Sequence, residues 1–189
     1  LSKRLAALAD VFVMDAFATS HRAHASTTGV ITFSDDACAG FLLDEELTAL
    51  SKVKENAKSS IAVLGGAKIS TKLSLIDSLS KTVDKVILGG GIANTCLAAK
   101  GYEVGKSLIE DSMLEEAKEL VANPKIIIPE SVIVSMNADE PGRITSANSI
   151  QENEAIFDIA PDSFVDLEPI IMNAGTILWN GPIGFFEKE

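Results

Sequence analysis

Three times along this chain a short apolar run breaks directly into glycines and resumes as a helix-like pattern. The runs are Ile61-Ala-Val-Leu-Gly-Gly-Ala-Lys68, Val86-Ile-Leu-Gly-Gly-Gly-Ile-Ala-Asn-Thr95 and Thr176-Ile-Leu-Trp-Asn-Gly-Pro-Ile-Gly184. Near-continuous apolar strands of this kind fit burial on both faces, the signature of parallel sheets. The pattern predicts strands at 60–64, 85–88, 125–128, 131–135 and 175–179, and helices at about 69–80, 92–100, 109–122 and 163–173. Strands alternating with helices of that length indicate βαβ units, hence an α/β fold with a parallel sheet. The residues around Glu140-Pro-Gly-Arg143 read as a polar loop.

Ahead of this alternation, Leu1 to Ala9 reads as a helix tail and Val11-Phe-Val-Met14 as a short strand. Residues 16–36 are loop-rich, with one further apolar run at Gly29-Val-Ile-Thr-Phe33. From about 37 to 54, leucines and phenylalanine recur at three- and four-residue spacing, which predicts an amphipathic helix capped by Ser34-Asp-Asp36. The chain lacks an initiating Met and stops in mid-pattern at Phe-Phe-Glu-Lys-Glu189, so both ends read as cut. Leu64-Gly65-Gly66 matches Leu88-Gly89-Gly90 at a fixed offset. Two stacked βα units explain that, and a solenoid would need further copies.

Charge narrows the function classes. The formal net charge is −11 and the pI about 4.6, which argues against nucleic acid or anionic membrane as a partner. An acidic protein that handles an anionic ligand must concentrate its few cations at the site. No apolar run approaches the roughly 18–20 residues that span a bilayer. Cys38 and Cys96 lie in apolar patterns without metal-ligand spacing and read as two buried thiols in a reducing compartment.

The chemistry gathers at the glycine turns. In Gly65-Gly-Ala-Lys-Ile-Ser-Thr-Lys72, Gly65 and Gly66 permit positive φ and close approach of a ligand to the backbone. Lys68 and Lys72, four apart, would share one face at the start of a helix and form an anion site with its free N–H groups. The alternative is a plain βα turn with two solvated lysines. The segment lacks the GxxxxGK[ST] pattern of a P-loop. Gly89, Gly90 and Gly91 suit a flat wall for an aromatic base, or else tight helix–strand packing. Asn94 stands where a dinucleotide fingerprint needs glycine, which sets aside a nicotinamide-dependent dehydrogenase. Asn180 and the nearby glycine backbone could donate to phosphate, and Glu187 could accept from ribose hydroxyls, with Trp179 taken as core. Arg22 is a fork for carboxylate or phosphate, or one half of a surface ion pair. His21 and His24 lack a third ligand and make a weak metal site.

Four peptides in order resemble the phosphoglycerate kinase family. Asp15-Ala-Phe-Ala-Thr-Ser-His-Arg-Ala-His-Ala-Ser26 is similar to its DAFGTAHRAHAS signature, with Ala18 in place of glycine. Gly65 to Lys72 resembles GGAKVxxK, Gly89 to Thr95 resembles GGGMAxT, and Trp179 to Glu187 resembles WNGPxGxFE. The resemblance implies reversible phosphoryl transfer from 1,3-bisphosphoglycerate to ADP, giving 3-phosphoglycerate and ATP, with Mg²⁺ on the nucleotide. It implies two Rossmann-like domains, helices on both faces of each sheet, a monomeric parent and a cytoplasmic location. By motif position, Arg22 is a 3-phosphoglycerate ligand and Lys68 stabilises the transferring phosphoryl group. Lys72, with Gly66 and Asn180, then belongs to the nucleotide phosphates, Gly89, Gly90 and Gly91 to the adenine wall, and Glu187 to the ribose. Residues 1–36 become a remnant of the phosphoglycerate domain, 37–54 the interdomain helix, and 55–189 an incomplete nucleotide domain. The family's HxGR and GGGDT segments are absent from these 189 residues, so this fragment is expected to lack normal turnover. A nucleotide-binding module without catalysis and a purely structural role remain the alternatives.

Overall fold

The computed structural model describes residues 1–55 and 59–187. The end of the Phe-Phe-Glu-Lys-Glu stretch, residues 188 and 189, lies outside them. The chain divides into two compact units, Leu1–Lys52 and Val53–Glu189.

In the first unit, α1 (Ser2–Ala6) precedes β1 (Val11–Met14), and α2 (Val30–Phe33) precedes β2 (Asp36–Ala39) and α3 (Phe41–Glu55). The long helix therefore starts later than the leucine spacing suggests. The short residues Asp36 to Ala39 pair in parallel with β1 instead, and Gly40 N–H continues that pairing to Met14 O at 2.8 Å. The start of α3 is capped from a distance: Asp15 Oδ1 accepts the Leu43 N–H at 2.8 Å, a role expected of Ser34-Asp-Asp36. Cys38 consequently lies on an exposed strand rather than in a buried helix, whereas Cys96 is buried as expected. Burial pushes the Cys96 thiol up to about 12, so it stays protonated at neutral pH.

The second unit is built on a four-stranded parallel sheet. Its strands are β3 (Ser60–Leu64), β4 (Lys85–Leu88), β5 (Ile126–Ile127) and, last in the chain, β9 (Thr176–Asn180), in the order β5-β4-β3-β9. Side chains alternate across a strand, so β3 presents Ala62 and Leu64 to one face and Ile61 and Val63 to the other. The first face is covered by α4 (Leu73–Thr82), α5 (Gly90–Ala99) and α6 (Leu114–Ala122), through Ile76, Ile92, Cys96 and Leu120. The second face packs on α7 (Phe164–Met172) through Leu167 and Ile170. The fold is thus α/β, with a parallel sheet and helices on both of its faces.

Trp179 departs from expectation. It is 60% exposed, because β9 pairs on one side only among the described residues. Its indole N–H donates to Gly181 O at 2.9 Å.

A second sheet was hidden in the sequence. Strands β6 (Ser131–Ser135), β7 (Arg143–Ser146) and β8 (Ala155–Ile159) form an antiparallel sheet in the order β7-β6-β8. Strand β6 matches the strand expected at 131–135 but belongs to this antiparallel sheet rather than to the parallel one. Only residues 128–130 separate it from β5, far fewer than a parallel crossover requires. The Arg143 region, read as a loop, is the start of β7. Leu97 of α5 packs with Val132 and Val134 of β6, so α5 is sandwiched between the two sheets and is buried from Gly91 to Leu97.

A buried carboxylate holds the second sheet together. Glu154, whose side chain is 8% exposed, accepts Nε–H and Nη2–H of Arg143 at 2.6 Å each and the Gln151 N–H at 2.9 Å. The Arg143 fork, followed by the Gln151 amide, holds its carboxyl below the usual range. A depressed pKa contributes stability that is complete above the unfolded value of about 4.3 and is lost as pH falls through the folded value. Glu154→Gln is therefore expected to lower the thermal unfolding midpoint at pH 7, and the gap to wild type should close as pH drops below about 4. A gap of constant size across that range would show that the charge contributes nothing.

Candidate nucleotide site at the carboxyl edge of the parallel sheet

The chain runs from β3 to β4 to β5 in one direction, and β9 returns on the other side of β3. Reversals of this kind leave a crevice outside the carboxyl ends of the strands, where α/β sheets bind ligands. Here the crevice is bounded by the loops after β3, β4 and β9, which approach one another backbone to backbone.

Glycine permits that approach. A Cβ on Gly65 would lie 1.8 Å from Pro182 O, and one on Gly91 would lie 2.3 Å from Ala67 O. The hydrogen bonds follow the same pattern: Gly65 N–H to Asn180 O at 3.0 Å, Gly90 N–H to Ile183 O at 2.8 Å and Ile92 N–H to Gly66 O at 3.1 Å. Gly66 has φ +138, the positive value expected for this turn. Gly65 does not; its role is the close contact.

The lysine pair sits differently from the sequence expectation. Helix α4 begins only at Leu73, so Lys68 and Lys72 belong to a turn ahead of it rather than to one helical face. The reason lies between them. Ile69 is fully buried in the core under the sheet, which pulls the segment inward and delays the helix. Lys72 Nζ donates to Asn180 Oδ1 and to Gly65 O, the latter at 2.9 Å. Its ammonium thereby joins the ends of β3 and β9, and its partial burial lowers its pKa. With Oδ1 taken by Lys72, the Asn180 amide N–H groups have no partner among the described residues. Lys68 is exposed, and its ammonium acts on the Glu110 carboxylate.

Glu110 was missed in the sequence. Its carboxylate accepts Ser70 Oγ–H at 2.5 Å and Ser70 N–H at 3.0 Å, and these bonds hold its pKa down. Its own N–H donates to Thr95 Oγ1 of α5 at 3.1 Å. The lysine turn is thus tied to the helix that follows β4.

Beside the turn opens a cavity of about 430 Å³ between α5 and the antiparallel sheet. That volume is within the range of small-molecule sites. Gly66, Gly90, Gly91 and Glu187 line it, as do Asn94, Lys106, Leu108 and Phe157. Gly89 does not: its free face meets Ile183 at 2.6 Å, the close-packing reading of that glycine. A Cβ on Gly66 would touch Lys72 Cε at 3.5 Å, so the cavity mouth adjoins the Lys72–Asn180 pair. Lys106 and Phe157 escaped the sequence reading because β8 was not recognised as a wall. Among the described residues, no three His, Cys, Asp or Glu side chains stand together as a metal site.

Arg22 lies in the first unit, on an exposed turn with no ion-pair partner among the described residues. Buried Thr27 shapes that turn, its Oγ1 donating to Arg22 O at 2.7 Å and accepting His24 N–H at 3.1 Å.

The sequence model of the family described as phosphoglycerate kinase matches residues 1–189. A solved phosphoglycerate kinase from Coxiella burnetii is 47% identical, with a TM-score of 0.89, covering 100% of this chain and 50% of that one. One from Pyrococcus horikoshii OT3 is 30% identical, with a TM-score of 0.83, covering 99% and 49%. The chain spans about half the length of these solved relatives. The family match runs its whole length, through the lysine turn, the triple glycine and the loop after β9: the chain belongs to the phosphoglycerate kinase family.

Proposed function

We propose that the second unit is the nucleotide half of a kinase that moves a phosphoryl group reversibly between 1,3-bisphosphoglycerate and ADP, giving 3-phosphoglycerate and ATP. The observation that carries this reading is the meeting of Lys72, Asn180 and Gly66 at the mouth of the cavity. A cation, an amide donor and bare backbone converge there, as polyphosphate binding requires.

In this reading the base and ribose occupy the cavity, with Gly90 and Gly91 as the wall and Glu187 accepting from the ribose hydroxyls. Gly89 supports that wall from behind. Lys72 and Asn180 hold the phosphates. Lys68, exposed on the same turn, is the cation set against the charge of the phosphoryl group in transit, while Ser70 and Glu110 fix the turn that carries it. Such transfer asks for positioning and charge neutralisation, and no covalent nucleophile is needed. Arg22, on its Thr27-braced turn, is assigned to 3-phosphoglycerate. Mg²⁺ would come with the nucleotide and would offset phosphate charge there, and no residue of this chain is assigned to it. Two unpaired cysteines fit a reducing, cytoplasmic setting. Among the described residues no helix is long and apolar enough to cross a membrane. The boundaries 1–36, 37–54 and 55–189 stand as proposed divisions into phosphoglycerate-domain remnant, interdomain helix and nucleotide domain. To these 189 residues alone we assign nucleotide binding rather than turnover.

Calorimetric titration with Mg·ADP tests this. The chain should bind, and Lys72→Ala should weaken binding by about tenfold or more, the value of one charge-assisted contact at about 1.5–3 kcal/mol. Unchanged affinity in Lys72→Ala, or no binding by the unmodified chain, contradicts the assignment. Glu110→Gln should weaken binding less than Lys72→Ala and leave the fold intact by circular dichroism; a loss equal to that of Lys72→Ala would mean that Glu110 does more than fix the turn.

A further inference from the structure

Asn94 is a buried amide with nothing to bind. It is 5% exposed, on the second turn of α5, and its side chain has no hydrogen-bond partner among the described residues. Buried polar side chains are almost always paired within the protein, so an amide left without a protein partner in a cavity wall is open to whatever enters the cavity. Its neighbours obey the rule: Thr95 Oγ1 donates to Gly91 O at 2.8 Å and accepts the Glu110 N–H. Among the described residues the side-chain atom sealed without a partner is Ser60 Oγ, at the amino end of β3 and away from the cavity, whereas the Asn94 amide is not sealed off. Asn94 instead lines the cavity, among Leu97, Leu108, Ile156 and Phe157.

The position along α5 is informative. Gly90, which adjoins Gly66 at the phosphate end, is one helical turn before Asn94, about 6 Å along the axis. A ligand with its phosphates at the mouth would therefore bring its base to Asn94. A carboxamide presents one acceptor beside two donors, which complements an edge that carries a donor and an acceptor side by side. Adenine offers this through its 6-amino group and the adjacent ring nitrogen, and guanine through its 6-oxo group and N1–H.

We propose that Asn94 is the base-reading residue of this site, pairing with the 6-substituted edge of a purine while the apolar walls hold the ring. The proposal rests on the nucleotide reading above. It is tested by titrating ADP, GDP, purine riboside 5′-diphosphate (which lacks any 6-substituent) and pyrophosphate into the chain and into Asn94→Leu, a variant of similar volume suited to an apolar cavity. The unmodified chain should prefer ADP or GDP over the unsubstituted analogue by about tenfold, a single good polar contact. Whichever of ADP and GDP binds tighter identifies the base. Asn94→Leu should erase that preference and leave pyrophosphate affinity unchanged. A preference that survives in Asn94→Leu, or one absent from the unmodified chain, overturns the role of Asn94 while leaving the phosphate site standing. Failure of the unmodified chain to bind any of the four overturns the site itself.

Discussion

The ammonium of Lys72, held between the carbonyl of Gly65 and the amide of Asn180, is the interaction on which the rest of the site depends. It fastens the carboxyl ends of two adjacent parallel strands, β3 and β9, that lie more than a hundred residues apart in sequence. The strands alone would bring these ends near each other. Backbone contact between the loops also requires that Gly65 and Gly91 carry no side chain. These glycines admit a neighbouring loop, and the cavity mouth adjoins that packing.

The antiparallel sheet completes the picture. Helix α5 gives its glycine end to the parallel sheet and its Asn94 and Leu97 turns to the cavity wall. The Arg143–Glu154 clamp stiffens the far wall, and Lys106, whose N–H bonds to Glu154 O at 2.7 Å, is carried on the same support. Charge is concentrated in the way an acidic chain must concentrate it: Lys106 lines the cavity and Lys72 adjoins its mouth at Gly66, in a molecule of net charge −11.

The parallel layer was legible because Ile61 to Leu64 and Val86 to Leu88 are unbroken apolar runs that end in glycine, a pattern that depends on local sequence alone. Strands β7 and β8 were not, since Arg143-Ile-Thr-Ser and Ala155-Ile-Phe-Asp-Ile are short and only partly buried. The lysine turn was legible in composition and misread in shape, because one buried isoleucine outweighs helical periodicity. Cys38 and Trp179 were misplaced for a related reason: an apolar neighbourhood in sequence does not say which side of a two- or four-stranded sheet is covered. Glu110 and Asn94 act through partners distant in sequence, or through having none, and periodicity carries no trace of either.

The central claim is that cations, amide donors and an apolar cavity at the carboxyl edge of one parallel sheet make a single nucleotide site. Backbone amide shifts, followed by heteronuclear NMR as Mg·ADP is added, test it most directly. The account predicts that the largest changes fall on Gly66, Lys72, Gly90, Gly91, Asn94 and Asn180, with one shared saturation curve. Changes centred elsewhere, or separate curves for the lysine turn and for α5, would contradict it.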